Sequence, residues 1–402
     1  MGAAVVKAVT KPAQTRRLHL RTRSAIGLDV GARSVKAIQF ARDRFGDGGW
    51  RVAAAAEMPR ESAPQEAAAG QPAGPPVAPT KAGPLAPAEV ARLVATLERQ
   101  GFAGADVVLA APNDRVYTSM LELPPRSSNA PLEQIARIEM ARAHRLAPDG
   151  FEMGSWDLPA AARATRQTHV MAVACTHADA VALMDPFEAA GLTVTALDVK
   201  AAALARACGP LLNADAGGIT GLVDLGWTSA TLSLMHQGVV IYGRTLGDSG
   251  LHKLYATLAG RLGLDAEVID YLLSDTGLTA GHGPSGAKDA PVPSASASRK
   301  TKNATDAAGL IAAHFEAAVH ELRVSLSYAQ HQYPDTPLSR LLLVGGGACI
   351  RGVTEHLRRT LAIEARAVAP ADVATCPAHL AGPCASPALT SALGLAQFDL
   401  AP

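Results

Sequence analysis

Three observations predict an α/β protein of two lobes. The pattern D-x-G-x-x-S occurs twice, each time at the end of a short apolar run. A later apolar run, 340–344, enters Gly345-Gly346-Gly347-Ala348. The chain has 402 residues, 48% of them hydrophobic, which suits two cores better than one.

The elements follow in order. Residues 25–29 form a first apolar run, and 35–41 and 50–57 are further strands, with Gly46-Asp47-Gly48-Gly49 as the turn between them. Residues 87–100 read as an amphipathic helix, because Val90, Leu93, Val94 and Leu97 recur at i, i+3, i+4 and i+7 and Gly101 stops it. A strand at 106–111 closes the first group. Residues 116–197 read as an inserted α/β unit: strand, helix 131–146, strands 151–158 and 168–175, helix 178–190, strand. The second half reopens with strands 219–225, 230–236 and 239–245, turning at Gln237-Gly238. Helices 251–262, 266–273 and 305–332 follow, then a buried strand at 341–344 and a helix at 353–361.

Three stretches lack periodicity. Residues 1–24 carry Lys7, Lys11, Arg16, Arg17, Arg21 and Arg23 with no acidic residue, and read as a disordered basic tail. Residues 59–87 and 281–303, rich in Pro, Ala, Gly and Ser, read as loops. The domain reading is a first lobe of 25–115 and 196–215, an inserted subdomain at 116–195, and a second lobe at 216–390.

Composition narrows the function. A formal net charge of +1 argues against a nucleic-acid surface. The five cysteines lack C-x-x-C spacing, so neither a zinc site nor a disulfide framework is expected, and Cys175 and Cys349, in apolar runs, are expected to be buried. The scattered histidines lack the spacing of a helical metal pair. No apolar run reaches the roughly 18 residues that span a bilayer. The N-terminal stretch lacks the apolar core of a signal peptide, and Val6 stands where a myristoylation signal wants Ser or Thr. A cytoplasmic location is expected, with any membrane role coming through a partner.

The duplicated pattern carries chemistry. The copies are Asp29-Val30-Gly31-Ala32-Arg33-Ser34 and Asp224-Leu225-Gly226-Trp227-Thr228-Ser229. An Asp at a strand end places a carboxylate beside a tight turn, where it can hold Mg²⁺ through water. The Gly lets backbone N–H groups approach phosphate oxygens, and the Ser can add a hydroxyl donor. Lys36 adds a point charge near phosphates. One such hexapeptide is weak, since a plain hairpin turn explains it. Two copies, each opening half of the chain, suggest hairpins that clasp a phosphate chain across a cleft. Gly345, Gly346 and Gly347, between a strand and a helix, let a flat ring or a phosphate approach the backbone. Trp227, beside the second turn, is expected in the core rather than as a lid.

These elements, in this order, resemble the superfamily of actin, the large heat-shock chaperones and the sugar kinases. Within it, Ala25 to Lys36, Leu121-Glu122-Leu123-Pro124 with Ile138-Glu139 in the following helix, and Leu322 to Tyr328 before Val344-Gly345-Gly346-Gly347-Ala348 are similar to the FtsA/PilM branch. The resemblance spans 25–398. It implies an actin-like (ribonuclease H-like) two-lobed fold with lobes 1A and 2A/2B, a nucleotide cleft and an inserted 1C-like subdomain. It implies ATP and Mg²⁺ as ligands, with Asp29 and Asp224 at the metal, Gly31, Ser34, Lys36, Gly226 and Ser229 at the phosphates, and Glu267, Gly345, Gly346 and Gly347 at adenosine. It further implies a partner: the N-terminal tail of a PilN-like membrane protein, within a type IV pilus inner-membrane platform that also contains PilO.

Two residues depart from the branch. Where relatives carry a water-orienting Glu or Gln, this chain has Lys200 in Asp198-Val199-Lys200. Lysine has no acceptor with which to orient water, so binding with weak or absent hydrolysis is expected, unless Lys200 is a surface residue. Asp270 stands where a Lys usually follows the A-E-x-I of Ala266-Glu267-Val268-Ile269. The alternatives are a phosphotransferase or ATPase of the sugar-kinase kind, and an FtsA-like filament protein. The 392–402 end is too short and too little charged for the membrane helix of the latter.

Overall fold

A computed structural model describes residues 22–43, 48–60, 84–159, 167–213, 217–247, 249–278 and 295–400, and of 295–305 the helical backbone. The expectations for most of the basic tail, the Gly46-Asp47 turn, the body of the 59–87 loop and residues 281–294 lie outside the described residues.

The chain opens with β1 (Ile26–Val30), β2 (Ser34–Arg42), β3 (Trp50–Pro59), α1 (Pro87–Arg99) and β4 (Asp106–Ala111). It continues through β5 (Tyr117–Leu123), α2 (Leu132–His144), β6 (Phe151–Asp157), β7 (Thr168–Thr176) and α3 (His177–Ala189). Then come β8 (Thr193–Val199), α4 (Lys200–Ala207), α5 (Gly209–Asn213), β9 (Ile219–Leu225), β10 (Ala230–His236) and β11 (Val239–Leu246). The last part holds α6 (Leu251–Leu262), α7 (Ala266–Asp275), α8 (Ala295–Gln332), β12 (Leu338–Val344), α9 (Val353–Leu361), β13 (Glu364–Ala367) and a helix at Thr390–Ala396.

Two five-stranded sheets share one topology. The first runs β3-β2-β1-β4-β8 and the second β11-β10-β9-β12-β13. In each, three antiparallel strands are followed by a parallel pairing of the first strand with a later one, which in turn pairs in parallel with the last. The duplicated hexapeptide is thus the local mark of a duplicated sheet. A three-stranded antiparallel sheet, β5-β7-β6, is inserted between β4 and β8 of the first. β8, grouped by sequence with the inserted unit, pairs with β4. Trp156 on β6 donates from Nε1 to the Val240 carbonyl on β11 at 2.7 Å, tying the small sheet to the second large one.

Local chemistry sets the helix ends. Thr176 caps α3 by accepting from the Asp179 N–H, Asp265 caps α7 by accepting from Val268 N–H, and Gly263 ends α6 in the left-handed region at φ +64°. One expectation is corrected: residues 295–303 are helical rather than loop. Low-complexity composition hides helix that is propagated from a strongly amphipathic neighbour, since each added residue needs only one further hydrogen bond. In α8 the inward stripe includes Ile311, Phe315, Leu322 and Leu326, all buried.

The helix Thr390–Ala396 and α4 cross between the two large sheets. Their contact is made by absences. A Cβ on Gly27 of β1 would stand 2.2 Å from the Ala392 carbonyl oxygen, and one on Gly394 would stand 1.8 Å from that of Ala203. Only glycine lets these backbones meet.

Candidate functional site

β1 and β9 end at the same cleft from opposite sides. In both hairpins the glycine is dictated by the turn. A Cβ on Gly31 would lie 3.0 Å from the Ser34 carbonyl oxygen, and one on Gly226 would lie 2.7 Å from that of Ser229. Gly31 N–H donates to the Ser34 carbonyl at 3.0 Å, closing the first turn. Gly345 takes φ +82°, and a Cβ there would stand 2.2 Å from Asp224 Oδ1. The late glycine run therefore folds against the second Asp.

The cleft has a volume of about 840 Å³, within the range of sites that enclose a nucleotide-sized ligand. Of the residues singled out by sequence, Asp29, Gly31, Ser34, Lys36, Asp224, Gly226, Ser229, Gly345 and Gly346 line it. Glu267 and Gly347 do not. Glu267 is exposed at the start of α7, whereas the cleft is met further along that helix by Asp270, Tyr271 and Ser274. Gly347 is buried against Leu225, whose Cβ would stand 2.6 Å from an added Cβ. The Ser34 hydroxyl, expected as a phosphate donor, donates to Glu57 Oε1 at 2.6 Å.

Lys200 is in the cleft, not on the surface. Its Nζ lies 3.3 Å from Asp29 Oδ1 and 3.5 Å from Asp224 Oδ2. It is the first residue of α4, where the helix dipole disfavours a cation by about 0.3–1 kcal/mol. The two carboxylates compensate. Burial works against the Lys200 charge, but Asp29 and Asp224 outweigh it and hold the ammonium above its ordinary value. Burial likewise works against the Asp29 carboxylate, yet the charges of Lys200 and Lys36 hold it below the usual range. At the two carboxylates where Mg²⁺ was expected, the ammonium of Lys200 already pairs with both. Just before Lys200, Asp198 is buried and ion-paired with Arg206. Arg206 Nε donates in turn to the Gly394 carbonyl at 3.1 Å, so the base of the site is fastened to the C-terminal helix.

The mouth of the cleft is bridged. Arg33, on the first hairpin, donates to both Asp270 carboxylate oxygens at 2.8 and 2.6 Å and to the Tyr255 hydroxyl at 2.7 Å. Its guanidinium lies 4.8 Å from the Trp227 ring and 4.6 Å from the Tyr255 ring. Trp227 thus packs on the core through Tyr255 and also faces the cleft. Cys349, expected to be buried, is exposed and lines the cleft, because the preceding Gly347 and Ala348 take the inward side of the short 3-10 turn. Cys175 is buried as expected. Among the described residues no group of His, Cys, Asp and Glu forms a metal cluster, and no helix is long and apolar enough to cross a membrane.

With this geometry, the comparisons with known proteins fall into place. Residues 83–270 match the family described as type IV pilus assembly protein PilM. The structure of a PilM–PilN type IV pilus biogenesis complex superposes with a TM-score of 0.70 at 21% identity, covering 94% of this chain and 99% of that one. Over residues 83–270 the chain is similar to that family. Its fold is the actin-like two-lobed α/β fold that the resemblance implied. Two more distant structures also match. The ethanolamine utilization protein EutJ from Carboxydothermus hydrogenoformans has 16% identity, a TM-score of 0.47, and coverage of 98% and 92% of the two chains. A ROK family glucokinase from Streptomyces griseus has 13% identity, a TM-score of 0.43, and coverage of 94% and 99%. Lys36 and the hairpin glycines were legible from sequence. Arg33, Tyr255 and Ser391 were not, since nothing local marks a residue that reaches across a cleft.

Proposed function

We propose that this PilM-like chain is a cytoplasmic nucleotide-binding scaffold of a type IV pilus inner-membrane assembly platform. It binds ATP between its lobes, hydrolyses it weakly or not at all, and receives the N-terminal tail of a PilN-like membrane protein in a platform that also holds PilO. The observation that carries the nucleotide part is the cleft itself, where two glycine turns and a glycine run converge on one cavity with Lys36 and Lys200. Support for a scaffold over an enzyme comes from Lys200, which places a donor without an acceptor where a water-orienting group would be needed. Support for the partner is the match, over nearly the whole chain, to the PilM of a PilM–PilN complex.

The test is thermal unfolding with and without ATP, with phosphate release followed in the same samples. Binding at a hundredfold excess over Kd stabilises by about 2.7 kcal/mol, a shift of a few degrees. A shift without phosphate release is expected. Sustained phosphate release that Asp29→Ala abolishes would move the assignment to an ATPase. A labelled PilN-like tail peptide should raise its fluorescence anisotropy on titration with the protein, and a flat titration would remove the partner assignment.

A further inference from the structure

The two hairpins bring two buried carboxylates, Asp29 and Asp224, to face each other. In such a site a cation must separate them, because like charges at close range disfavour each other's ionised form. Here the chain supplies one. Lys200 Nζ stands 3.3 Å from one carboxylate and 3.5 Å from the other. Lys36 pairs directly across the hairpin from Asp29, and its Nζ would lie 3.3 Å from a Cβ added at Gly31. The two carboxylates are thus matched by two ammonium groups before any ligand arrives. The nearby Glu57 is engaged as acceptor for the Ser34 hydroxyl.

We propose that Lys200 replaces the divalent cation in this cleft, so that the chain binds a nucleoside triphosphate without Mg²⁺. The inference rests on the nucleotide reading above. An ammonium has three N–H donors. Two are directed at Asp29 and Asp224, which leaves the third for a phosphate oxygen. A hydrated Mg²⁺ needs octahedral room beside the carboxylates and would meet two ammonium charges there. The placement is specific in another respect. A lysine at the first position of a helix opposes the helix dipole, and α4 accepts it only where two carboxylates repay that cost.

The experiment is calorimetric titration of ATP into the full chain, freed of carried-over nucleotide, once with EDTA and once with millimolar Mg²⁺. It is repeated with Lys200→Ala and Lys200→Arg, each checked for fold by circular dichroism. The expected result for the wild type is a Kd that differs less than about threefold between the two conditions. Lys200→Ala should lose at least about tenfold in affinity in EDTA and recover with Mg²⁺, while Lys200→Arg keeps binding in EDTA. Wild-type binding that requires Mg²⁺ overturns the inference and leaves the nucleotide reading standing. No binding in either condition overturns both. Lys200→Ala binding ATP in EDTA as tightly as the wild type also overturns it. Should Lys200→Ala fail to fold, the wild-type pair of titrations decides alone.

Discussion

Replacing Gly394 by Ala sets two physical effects against each other. In the interior of a helix, Ala is favoured over Gly by about 1 kcal/mol, so local propensity predicts a more stable protein. The structure predicts the reverse. The added Cβ would stand 1.8 Å from the Ala203 carbonyl oxygen and 2.5 Å from its carbon. Restoring ordinary contact requires the C-terminal helix and α4 to move apart by more than ~1 Å, and overpacking of this kind costs about 1–3 kcal/mol or more. The clash is with backbone, which has no rotamer by which to escape, so the upper end applies. A net loss of about 2–3 kcal/mol is expected, measured as a fall in the urea midpoint at unchanged slope. Ala203 lies one turn along α4 from Lys200, so the same variant should weaken ATP binding. Gly260→Ala is the control. Gly260 sits in α6 with open space where its Cβ would go, and should gain up to about 1 kcal/mol. If Gly394→Ala proves as stable as the wild type or more so, the close crossing of the two helices is wrong.

Other outcomes are expected from the same geometry. A double-mutant cycle of Arg33→Ala and Asp270→Ala should give a coupling near 1 kcal/mol in denaturant unfolding. The pair is bidentate but partly exposed, with side-chain exposures of 34% and 47%, which limits it. Gly345→Ala should lower the melting temperature and weaken ATP binding together, since it combines a strained φ of +82° with a Cβ 2.2 Å from the Asp224 carboxylate. Stability should fall with acid. Burial holds the His314 and His356 imidazoles below the ordinary value of 6.5, and the Glu316 carboxylate near His356 only partly opposes it. The unfolded chain therefore takes up protons that the folded one refuses, and stability is lost as pH drops below about 6.5. Urea midpoints at pH 7.5 and 5.5 should show the drop, and a smaller drop in His314→Gln would assign its share.

Legibility followed the range of the constraint. The hairpin glycines could be read because each is fixed within its own turn by a Ser carbonyl three residues on. The common topology of the two large sheets followed from that repeat. Lys200 was visible only as a departure from the branch, because its meaning depends on two carboxylates brought from distant parts of the chain. Asp270 showed only as a departure from the branch, and its pairing with Arg33 gave no signal, since an ion pair across a cleft leaves no periodicity in either segment. Glu267 shows the converse case. A four-residue likeness picked out the right helix, but the cleft meets that helix one turn later, at Asp270 and Tyr271. Cys349 was misplaced because an apolar run does not say which residue of a tight turn faces inward.

The crossing at Gly394 and Ala203 also has a mechanical meaning. Two helices that touch backbone to backbone at one small-residue point meet as scissor blades do, at a pivot. One long side chain spans it: Arg206 of α4 donates to the Gly394 carbonyl and lies over the Phe398 ring, so any rotation there is held by that residue. Lys200 sits on one blade close to the pivot and Ser391 on the other, and the Arg33–Asp270 clasp closes the far end. A small turn at the pivot becomes a wide swing at the clasp.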